Sequence, residues 1–307
     1  MPHASDDLIA WLGSATDGAA RGADVLGGKA ASLDKLGKLG FRVPPGFCLT
    51  TAAFRAQLAA TVDTALETTG AVDVAAVAEG LATVPLTSTV AGPLSVAVER
   101  LVDEVGAAGF EPRFAVRSSA VGEDGSAASY AGLHETELDV PPAEIAGAVR
   151  RCWASLWSPA AIAYRHRRDL SAADAAMAVV VQALVPAAAA AVVFTRHPVT
   201  GRDDQLVITA VRGLGDAMVS GTVTPDTYTL DRASRTVAQF EPGEDPLGEA
   251  LAPDVLAALV DLCLEVERKF GQAVDVEAAH AGGRWYLLQA RPITTGAALG
   301  APAVAHA

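Results

Sequence analysis

A loop of small residues combines a fixed positive charge with many potential donors to an anion. The apolar run Phe114 to Val116 predicts a strand that delivers Arg117 into a stretch rich in glycine and serine, which continues through Gly132 to Thr136. Glycine lets backbone N–H groups approach an anion closely, serine hydroxyls donate hydrogen bonds, and a guanidinium binds phosphate with two donors. The pattern therefore favours phosphate binding, and a flexible surface turn after a strand is the alternative.

A second cation, Lys29, lies near the start of a predicted helix. The segment from Val25 to Leu39 places apolar residues on about one face, and Gly40 follows as a stop signal. A lysine at this end opposes the helix dipole, which favours a functional reason for it, although a solvated lysine fits equally well. The segment is not a P-loop, because Ala23 and Ala30 stand where that motif needs glycine and Ser or Thr.

Oxygen-bearing side chains converge on a predicted hairpin near the C-terminal end. Two alternating strands flank the turn signal Gly282-Gly283. On these strands Asp275 shares a face with Glu277, and Gln289 shares a face with Arg291. Carboxylate and amide oxygens suit Mg²⁺ bound together with substrate phosphates, whereas a hairpin with one solvated face is the other interpretation.

The elements around these residues are mostly helices in the first half of the chain and mostly strands in the second. The pattern predicts helices over Leu94 to Val105, Ala143 to Tyr164 and Asp254 to Phe270, and strands over Gln205 to Val211 and Thr227 to Leu230. The uncharged run Ala175 to Thr195 has the length of a membrane span. Pro186 divides it into two β-branched halves, so we expect two paired, buried strands instead.

Composition excludes several classes of function. The 307 residues carry a net charge of -13 and are 51% hydrophobic. This acidic balance argues against a nucleic-acid partner, because phosphate backbones are held by clustered basic residues. Three widely spaced cysteines indicate neither a disulfide framework nor a zinc site. The N-terminal stretch lacks a basic region and an apolar core, so we expect a cytoplasmic protein without a membrane anchor.

Seven stretches, in one order along the chain, carry a resemblance to a known family. They are GGKAASL from Gly27, VPPGFCLTT from Val43, AVRSSAVGEDGSAASYAGLHET from Ala115, VVVQALV from Val179, FTRHPVTG from Phe194, GLGDAMVSGTVTPDTY from Gly213, and VDVEAA with LLQARPIT near the end. Together they resemble the N-terminal ATP-binding domain shared by pyruvate phosphate dikinase, phosphoenolpyruvate synthase and rifampin phosphotransferase. The resemblance implies an α+β ATP-grasp fold of two subdomains, residues 1–190 and 191–295, with the nucleotide site in the cleft between them and a flexible tail over 296–307.

The resemblance also assigns nucleotide contacts in the first predicted subdomain. Lys29 and Arg117 correspond to residues that bind the phosphates of ATP. The glycine loop through Gly132 and Thr136 corresponds to a cover over those phosphates, and Gln182 corresponds to a residue near the adenine or ribose.

In the second predicted subdomain the resemblance assigns the chemistry of the triphosphate. Glu277 and Gln289 correspond to residues that hold Mg²⁺ and the triphosphate, and Arg291 corresponds to one that stabilises charge on the transferring group. These three and Arg117 are the catalytic candidates, and ATP and Mg²⁺ are the implied cofactors.

The chain departs from the family pattern in two places. Asp216 stands where the family usually has glutamate, and Leu133 and His134 stand where glutamine is common. His134 could be a local phosphoryl acceptor, but a lone loop histidine is more often solvated. None of the histidines occurs in the family's phosphohistidine context, so we expect a separate phosphohistidine-carrying domain or protein and an acceptor-binding domain as partners.

Three functions follow as hypotheses. The first is a Mg·ATP-binding phosphotransferase domain that passes phosphoryl to a histidine elsewhere, releasing AMP and phosphate. The second is a stand-alone kinase that phosphorylates a small-molecule acceptor directly. The third is a non-catalytic nucleotide-binding module, which the shorter carboxylate of Asp216 would favour.

Overall fold

The chain divides into two compact units in a computed structural model. The structure describes residues 7–14, 22–69, 74–121, 124–125, 128–129, 136–167, 175–219, 221–245 and 249–293. The first unit comprises residues 1–38 and 44–184, and the second comprises residues 39–43 and 185–307. The chain thus changes unit after Leu184, six residues before the position expected from the sequence, and residues 39–43 belong to the second unit.

The first unit contains a five-stranded antiparallel sheet. The strands described in this unit, inside and outside that sheet, are β1 (Ile9–Trp11), β2 (Gly46–Leu49), β3 (Phe114–Ala120), β4 (Asp124–Gly125), β5 (Ala128–Ser129), β6 (Thr136–Val140) and β7 (Met177–Ala183). The order across the sheet is β1-β2-β7-β3-β6, and β4 pairs separately with β5. The predicted strand at Phe114 is confirmed, and it extends four residues further, through Arg117 and both serines.

Helices pack on the two faces of this sheet. The helices of this unit are α1 (Ala23–Lys38), α2 (Thr51–Thr69), α3 (Val74–Thr83), α4 (Ser88–Ala107), α5 (Ile145–Ser155) and α6 (Pro159–Arg167). The apolar cluster on one face joins Phe54, Leu101 and Trp153 of α2, α4 and α5 to Val116 of β3. Because side chains alternate along a strand, Arg117 points to the opposite face, where α1 contacts β3 and β7.

The predicted helix from Ala143 to Tyr164 is wrong in one respect, since the chain breaks it into two. The break lies between α5 and α6, where Ser158 precedes Pro159. The hydroxyl of Ser158 accepts a hydrogen bond from the Ala161 N–H at 3.2 Å, which caps α6. A serine cap followed by proline in the first helical position is a common helix start, so the signal was present in the sequence.

The second unit contains a six-stranded antiparallel sheet. Its strands are β8 (Ala189–Phe194), β9 (Gln205–Arg212), β10 (Asp226–Asp231), β11 (Val237–Glu241), β12 (Val274–Ala281) and β13 (Arg284–Pro292), in the order β11-β10-β9-β8-β12-β13. A short helix, α7 (Asp216–Val219), and a long one, α8 (Pro253–Phe270), complete the unit within the described residues. With helices beside two antiparallel sheets, the predicted α+β class is confirmed.

Helix α8 follows from its sequence. Its buried residues, Leu256, Leu259, Val260, Cys263 and Val266, recur at the three- and four-residue spacing of one helix face. Pro253 occupies the first position, and Gly271 ends the helix with a φ of 73°, a conformation that glycine adopts readily. Trp285 of β13 donates to the Val255 carbonyl oxygen at 3.1 Å, so α8 lies on the face of the sheet that holds Trp285.

The uncharged run before Thr195 forms two strands, as predicted, but the two strands do not pair. β7 lies in the first sheet and β8 in the second, so the prediction of one shared sheet is wrong. Pro186 lies in the connection where the chain passes from one unit to the other. Among the described residues, no single helix has both the length and the apolarity to cross a membrane; one pair bent by 47°, Ala75–Thr83 with Ser88–Ala107, meets the criteria only when taken together.

Candidate functional site

Three of the predicted nucleotide residues share one face of the first sheet. Arg117 on β3 is directly opposite Thr136 on β6 and opposite Val180 on β7. Gln182 lies two residues along β7 from Val180, opposite Ala115. Directly opposed residues of antiparallel strands point to the same side, and so do residues two apart on one strand. The sheet therefore places Arg117, Thr136 and Gln182 on the face that α1 covers.

Lys29 belongs to the helix that covers this face, and it lies two residues after a break in α1. Gly27 has φ 69° and ψ 173°, outside the helical region, so a second helical segment begins at Gly28. Lys29 is half-buried in the first turn of that segment, which confirms its predicted place at a helix start. A Cβ atom on Gly27 would lie 1.9 Å from the Ser119 carbonyl oxygen, so the approach of α1 to β3 requires glycine.

A serine hydroxyl bridges the break in α1. Ser119 is fully buried, and its Oγ accepts a hydrogen bond from the Ala30 N–H at 3.1 Å. The same hydroxyl donates to the Leu26 carbonyl oxygen at 2.8 Å. In an unbroken helix the Ala30 N–H would bond directly to that carbonyl, four residues back. The hydroxyl therefore replaces the helical bond that Gly27 removes, and the sequence reading missed this role.

Gln182 has a structural partner that the motif did not reveal. Its side chain is 2% exposed, and Nε2 donates to the Pro44 carbonyl oxygen at 3.1 Å. Gly46 lies opposite Gln182 on β2, and a Cβ atom there would come within 3.2 Å of the Gln182 side chain. The amide is therefore held in one orientation on the α1 face, and its role near an adenine or ribose stays a prediction.

The loop that the motif assigns to the phosphates is described only at its ends and in the two short strands β4 and β5. Gly132, Leu133 and His134 lie outside the described residues. Thr136 begins β6 and is exposed, next to the half-buried Arg117 on β3. The structure thus joins the two ends of the predicted loop into one pair of strands.

The predicted set in the second unit lies on the β12-β13 hairpin, and its register pairs these side chains two by two. Asp275 is opposite Arg291, and Glu277 is opposite Gln289. A bulge follows Glu277, which makes Leu288 the extra residue of β13. The predicted hairpin and the two shared faces are confirmed.

The hairpin face that carries these residues is less solvated than the simple alternation suggests. Asp275 is 7% exposed and Gln289 is 5% exposed, and Glu277 is half-buried. Asp275 Oδ2 accepts from both Nε and Nη2 of Arg291, each at 2.7 Å. This face is therefore only partly solvated, with the Arg291 side chain still 39% exposed, and Asp275 orients the Arg291 guanidinium.

The oxygen donors of the hairpin fit a magnesium ion that is shared with a ligand. Glu277 offers a carboxylate, and Gln289 offers an amide oxygen directly across the hairpin. No group of three or more His, Cys, Asp or Glu residues could hold a metal within the described part of the chain. The described residues thus do not supply a full set of protein ligands for a metal ion. Mg²⁺, however, usually binds one or two carboxylates and completes its coordination with waters and phosphate oxygens. The donor set satisfies that requirement.

A buried carboxylate at the other side of the second sheet has a structural role. Asp226 is 5% exposed, and it accepts hydrogen bonds from the N–H groups of Gly243 and Ala250 at 2.7 and 2.6 Å. The Tyr228 hydroxyl donates to the same carboxylate at 3.4 Å. Burial, with a further contribution from the Asp226 charge, raises the pKa of Tyr228 to about 12. Asp226 therefore fixes the connection that follows β11.

Asp216, the shorter carboxylate in the glycine-rich segment, is exposed at the first position of α7. Gly215 precedes it, and a Cβ atom there would lie 3.1 Å from Ala190 Cβ on β8. The segment thus runs close to the second sheet, and the described residues show no contact that requires glutamate in place of Asp216.

Comparison with known proteins identifies the family of the chain. Residues 23–305 match the family described as pyruvate phosphate dikinase, AMP/ATP-binding domain. The chain belongs to this family. The predicted resemblance is therefore confirmed, and the α+β architecture agrees with the fold class it implied. The description of the family also supports AMP or ATP as the ligand.

Curated relatives are similar over most of this chain. The prodigiosin synthesizing transferase PigC of Serratia marcescens is 37% identical over 88% of the chain and 32% of its own length. A probable phosphoenolpyruvate synthase of Methanocaldococcus jannaschii is 33% identical over 94% of the chain and 27% of its own length. A rifampicin phosphotransferase of Streptomyces sviceus is 34% identical over 88% of the chain and 34% of its own length. The chain thus spans about a third of the length of these relatives.

Proposed function

We propose that this chain binds Mg·ATP and starts the transfer of phosphoryl from ATP to a histidine on a separate domain or partner protein. The observation that carries the proposal is the match of residues 23–305 to a nucleotide-binding domain family. Relatives named as a phosphoenolpyruvate synthase and a rifampicin phosphotransferase support phosphoryl transfer as the reaction class.

In the first unit, the positively charged side chains of Lys29 and Arg117 would bind the phosphates of ATP. Lys29 projects from the first turn of the resumed helix, where backbone N–H groups also favour an anion. Arg117 lies on the sheet face that this helix covers, and Thr136 beside it adds a hydroxyl donor. A planar guanidinium and a compact ammonium are complementary ligands for a polyphosphate.

In the second unit, the hairpin supplies oxygen ligands and one positioned cation. Glu277 and Gln289 would hold Mg²⁺, which when bound neutralises phosphate oxygens. Arg291 would face the charge that develops on the transferring group, and the ion pair with the buried Asp275 carboxylate keeps its guanidinium in one orientation. Phosphoryl transfer depends mainly on positioning and charge stabilisation, so fixed charges of this kind account for much of the expected rate.

The proposed reaction has a definite balance. ATP, one histidine and one water give AMP, one phosphate and one phosphohistidine. A direct kinase would instead give ADP and a phosphorylated acceptor, with no AMP. The two reactions are therefore distinguished by the nucleotide that they release.

Product analysis tests the proposal. The purified chain is incubated with Mg·ATP, alone and with the histidine-bearing domain of a relative. We expect AMP and phosphate only in the mixture with the added domain. ADP as the sole product would contradict the proposal in favour of a direct kinase, and absence of turnover in both mixtures would favour a binding module.

Matched variants connect the reaction to the named residues. Lys29→Gln and Arg291→Gln should each reduce AMP formation at least tenfold, about the loss expected when a group that binds phosphate charge is removed. Lys35→Gln on the same helix and Arg284→Gln on the same hairpin are the controls, because both side chains are exposed. Equal losses in a variant and its control would contradict the assigned roles.

A further inference from the structure

Two adjacent serines on β3 are both fully buried and have different environments. Ser119 points toward α1 and is hydrogen-bonded on both sides of the break at Gly27. Ser118 points toward the apolar cluster with Val116, and within the described structure its hydroxyl has no hydrogen-bond partner. The two neighbouring hydroxyls therefore differ in their hydrogen bonding within the part of the chain that the structure describes.

The Ser119 hydroxyl links the two elements that carry the phosphate-binding cations. Its donor partner, Ala30, follows Lys29 directly, and Ser119 itself lies two residues after Arg117 on the same strand face. The partners are 89 and 93 residues away along the chain, so no local rule fixes their geometry. Within the described residues, this hydroxyl is a direct polar connection between the first turn that holds Lys29 and the strand that holds Arg117.

The bridge also compensates for a conformation that is otherwise unfavourable. Gly27 removes one helical hydrogen bond, which would leave the buried Ala30 N–H without its helical partner and the buried Leu26 carbonyl with only the weak Cys48 thiol donor at 3.7 Å. One hydroxyl, acting as donor and acceptor, satisfies both. A thiol or a methyl group at position 119 would do so poorly or not at all.

We propose that Ser119 is a positioning residue for the phosphates of the nucleotide, and that it acts by holding the turn of Lys29 against the strand of Arg117. This inference rests on the proposed function, because it assumes that these two cations bind ATP. Ser119 itself need not touch the ligand.

Calorimetric titration with Mg·ATP tests the inference on the whole chain. Ser119→Ala should weaken Mg·ATP binding about three- to tenfold, the range expected when one well-placed hydrogen bond is lost. Ser118→Ala is the matched control, since it removes the same atom from the neighbouring residue, and we expect no change in affinity. Ser119→Cys keeps a side chain of the same connectivity but replaces the hydroxyl with a larger group that is a weak donor and acceptor, so it should weaken binding in the same direction even if the alanine variant folds poorly.

A double-mutant cycle separates positioning from a general structural effect. In the Lys29→Gln background, Ser119→Ala should cause less than half of the loss, on a logarithmic scale, that it causes in the wild type, because the residue through which it acts is already changed. Equal losses in both backgrounds, or unchanged affinity in both the Ser119→Ala and Ser119→Cys variants, would overturn the inference and leave the proposed function standing. Failure of the wild-type chain to bind Mg·ATP would overturn the proposed function, and this inference with it.

Discussion

The two sets of charged residues are built in different ways. In the first unit, Lys29 and Arg117 come from a helix and a strand that are distant in sequence, and a broken helix with a bridging hydroxyl brings them to one face. In the second unit, Glu277, Gln289 and Arg291 lie on a single hairpin, and strand register alone brings them together. The first arrangement depends on tertiary contacts, whereas the second is largely local.

This difference predicts where each set is vulnerable. A change in the backbone at the break of α1 should disturb the first set without a change in any charged side chain. The hairpin set should respond instead to the loss of an individual cross-strand partner, because register is maintained by the many other pairs of β12 and β13.

The largest expected effect is that of Gly27→Ala in the first unit. The new methyl group would overlap the Ser119 carbonyl oxygen, and alanine at a φ of 69° adds backbone strain. We expect a loss of at least about 3 kcal/mol in the free energy of unfolding. Urea unfolding measures it through the fluorescence of Trp11, Trp153 and Trp157, which all belong to this unit.

A matched control separates crowding from strain. Gly109 has a φ of 81° but nothing within 4 Å of an added Cβ atom. Gly109→Ala should therefore cost only about 1 kcal/mol from the left-handed backbone. If the two variants lost the same stability, close approach of α1 to β3 would not be the reason for glycine at position 27.

The next effect concerns the hairpin. Asp275→Asn removes the negative charge that faces Arg291 in a buried position, and we expect a loss of about 2 kcal/mol in stability. Hydrogen exchange in peptides of the second unit measures it. Asp204→Asn is the control, because the Arg202 and Asp204 pair is exposed and should contribute no measurable stability. A cost no larger than that of the control would show that Asp275 does not hold Arg291 in place.

A smaller effect should appear only at alkaline pH. The pKa of Tyr228 is about 12 in the folded chain, above its ordinary value of 10, so the folded state keeps a proton that the unfolded chain loses. This stabilisation is present below pH 10 and is lost as the pH rises through 12. The temperature of thermal unfolding should therefore fall more steeply between pH 10 and 12 in the wild type than in Tyr228→Phe. Parallel curves would contradict the burial of the hydroxyl beside Asp226.

The sequence predicted the hairpin set more completely than the first set. Alternation and the Gly-Gly turn were enough to predict the hairpin and the two shared faces, because strand pairing across a two-residue turn is a local property. They did not predict the bulge at Leu288, which brings Gln289 opposite Glu277. They did not reveal that Asp275 is buried and paired, since burial depends on what packs over the strand. Periodicity also placed Lys29 near a helix start, but it could not show the break at Gly27 or the contact with Ser119, which require β3 to lie against α1.

The dependence of ATP affinity on magnesium tests the role of the hairpin most directly. Calorimetry would compare the wild type, Glu277→Gln and the exposed control Glu265→Gln, each with Mg²⁺ and with a chelator. We expect magnesium to strengthen ATP binding in the wild type and in the control. In Glu277→Gln the strengthening should be at least about tenfold smaller, because loss of even an outer-shell partner of a metal typically costs tenfold or more in affinity. In the chelator the three proteins should bind ATP equally. An undiminished magnesium effect in Glu277→Gln would contradict the assignment of the metal to this hairpin.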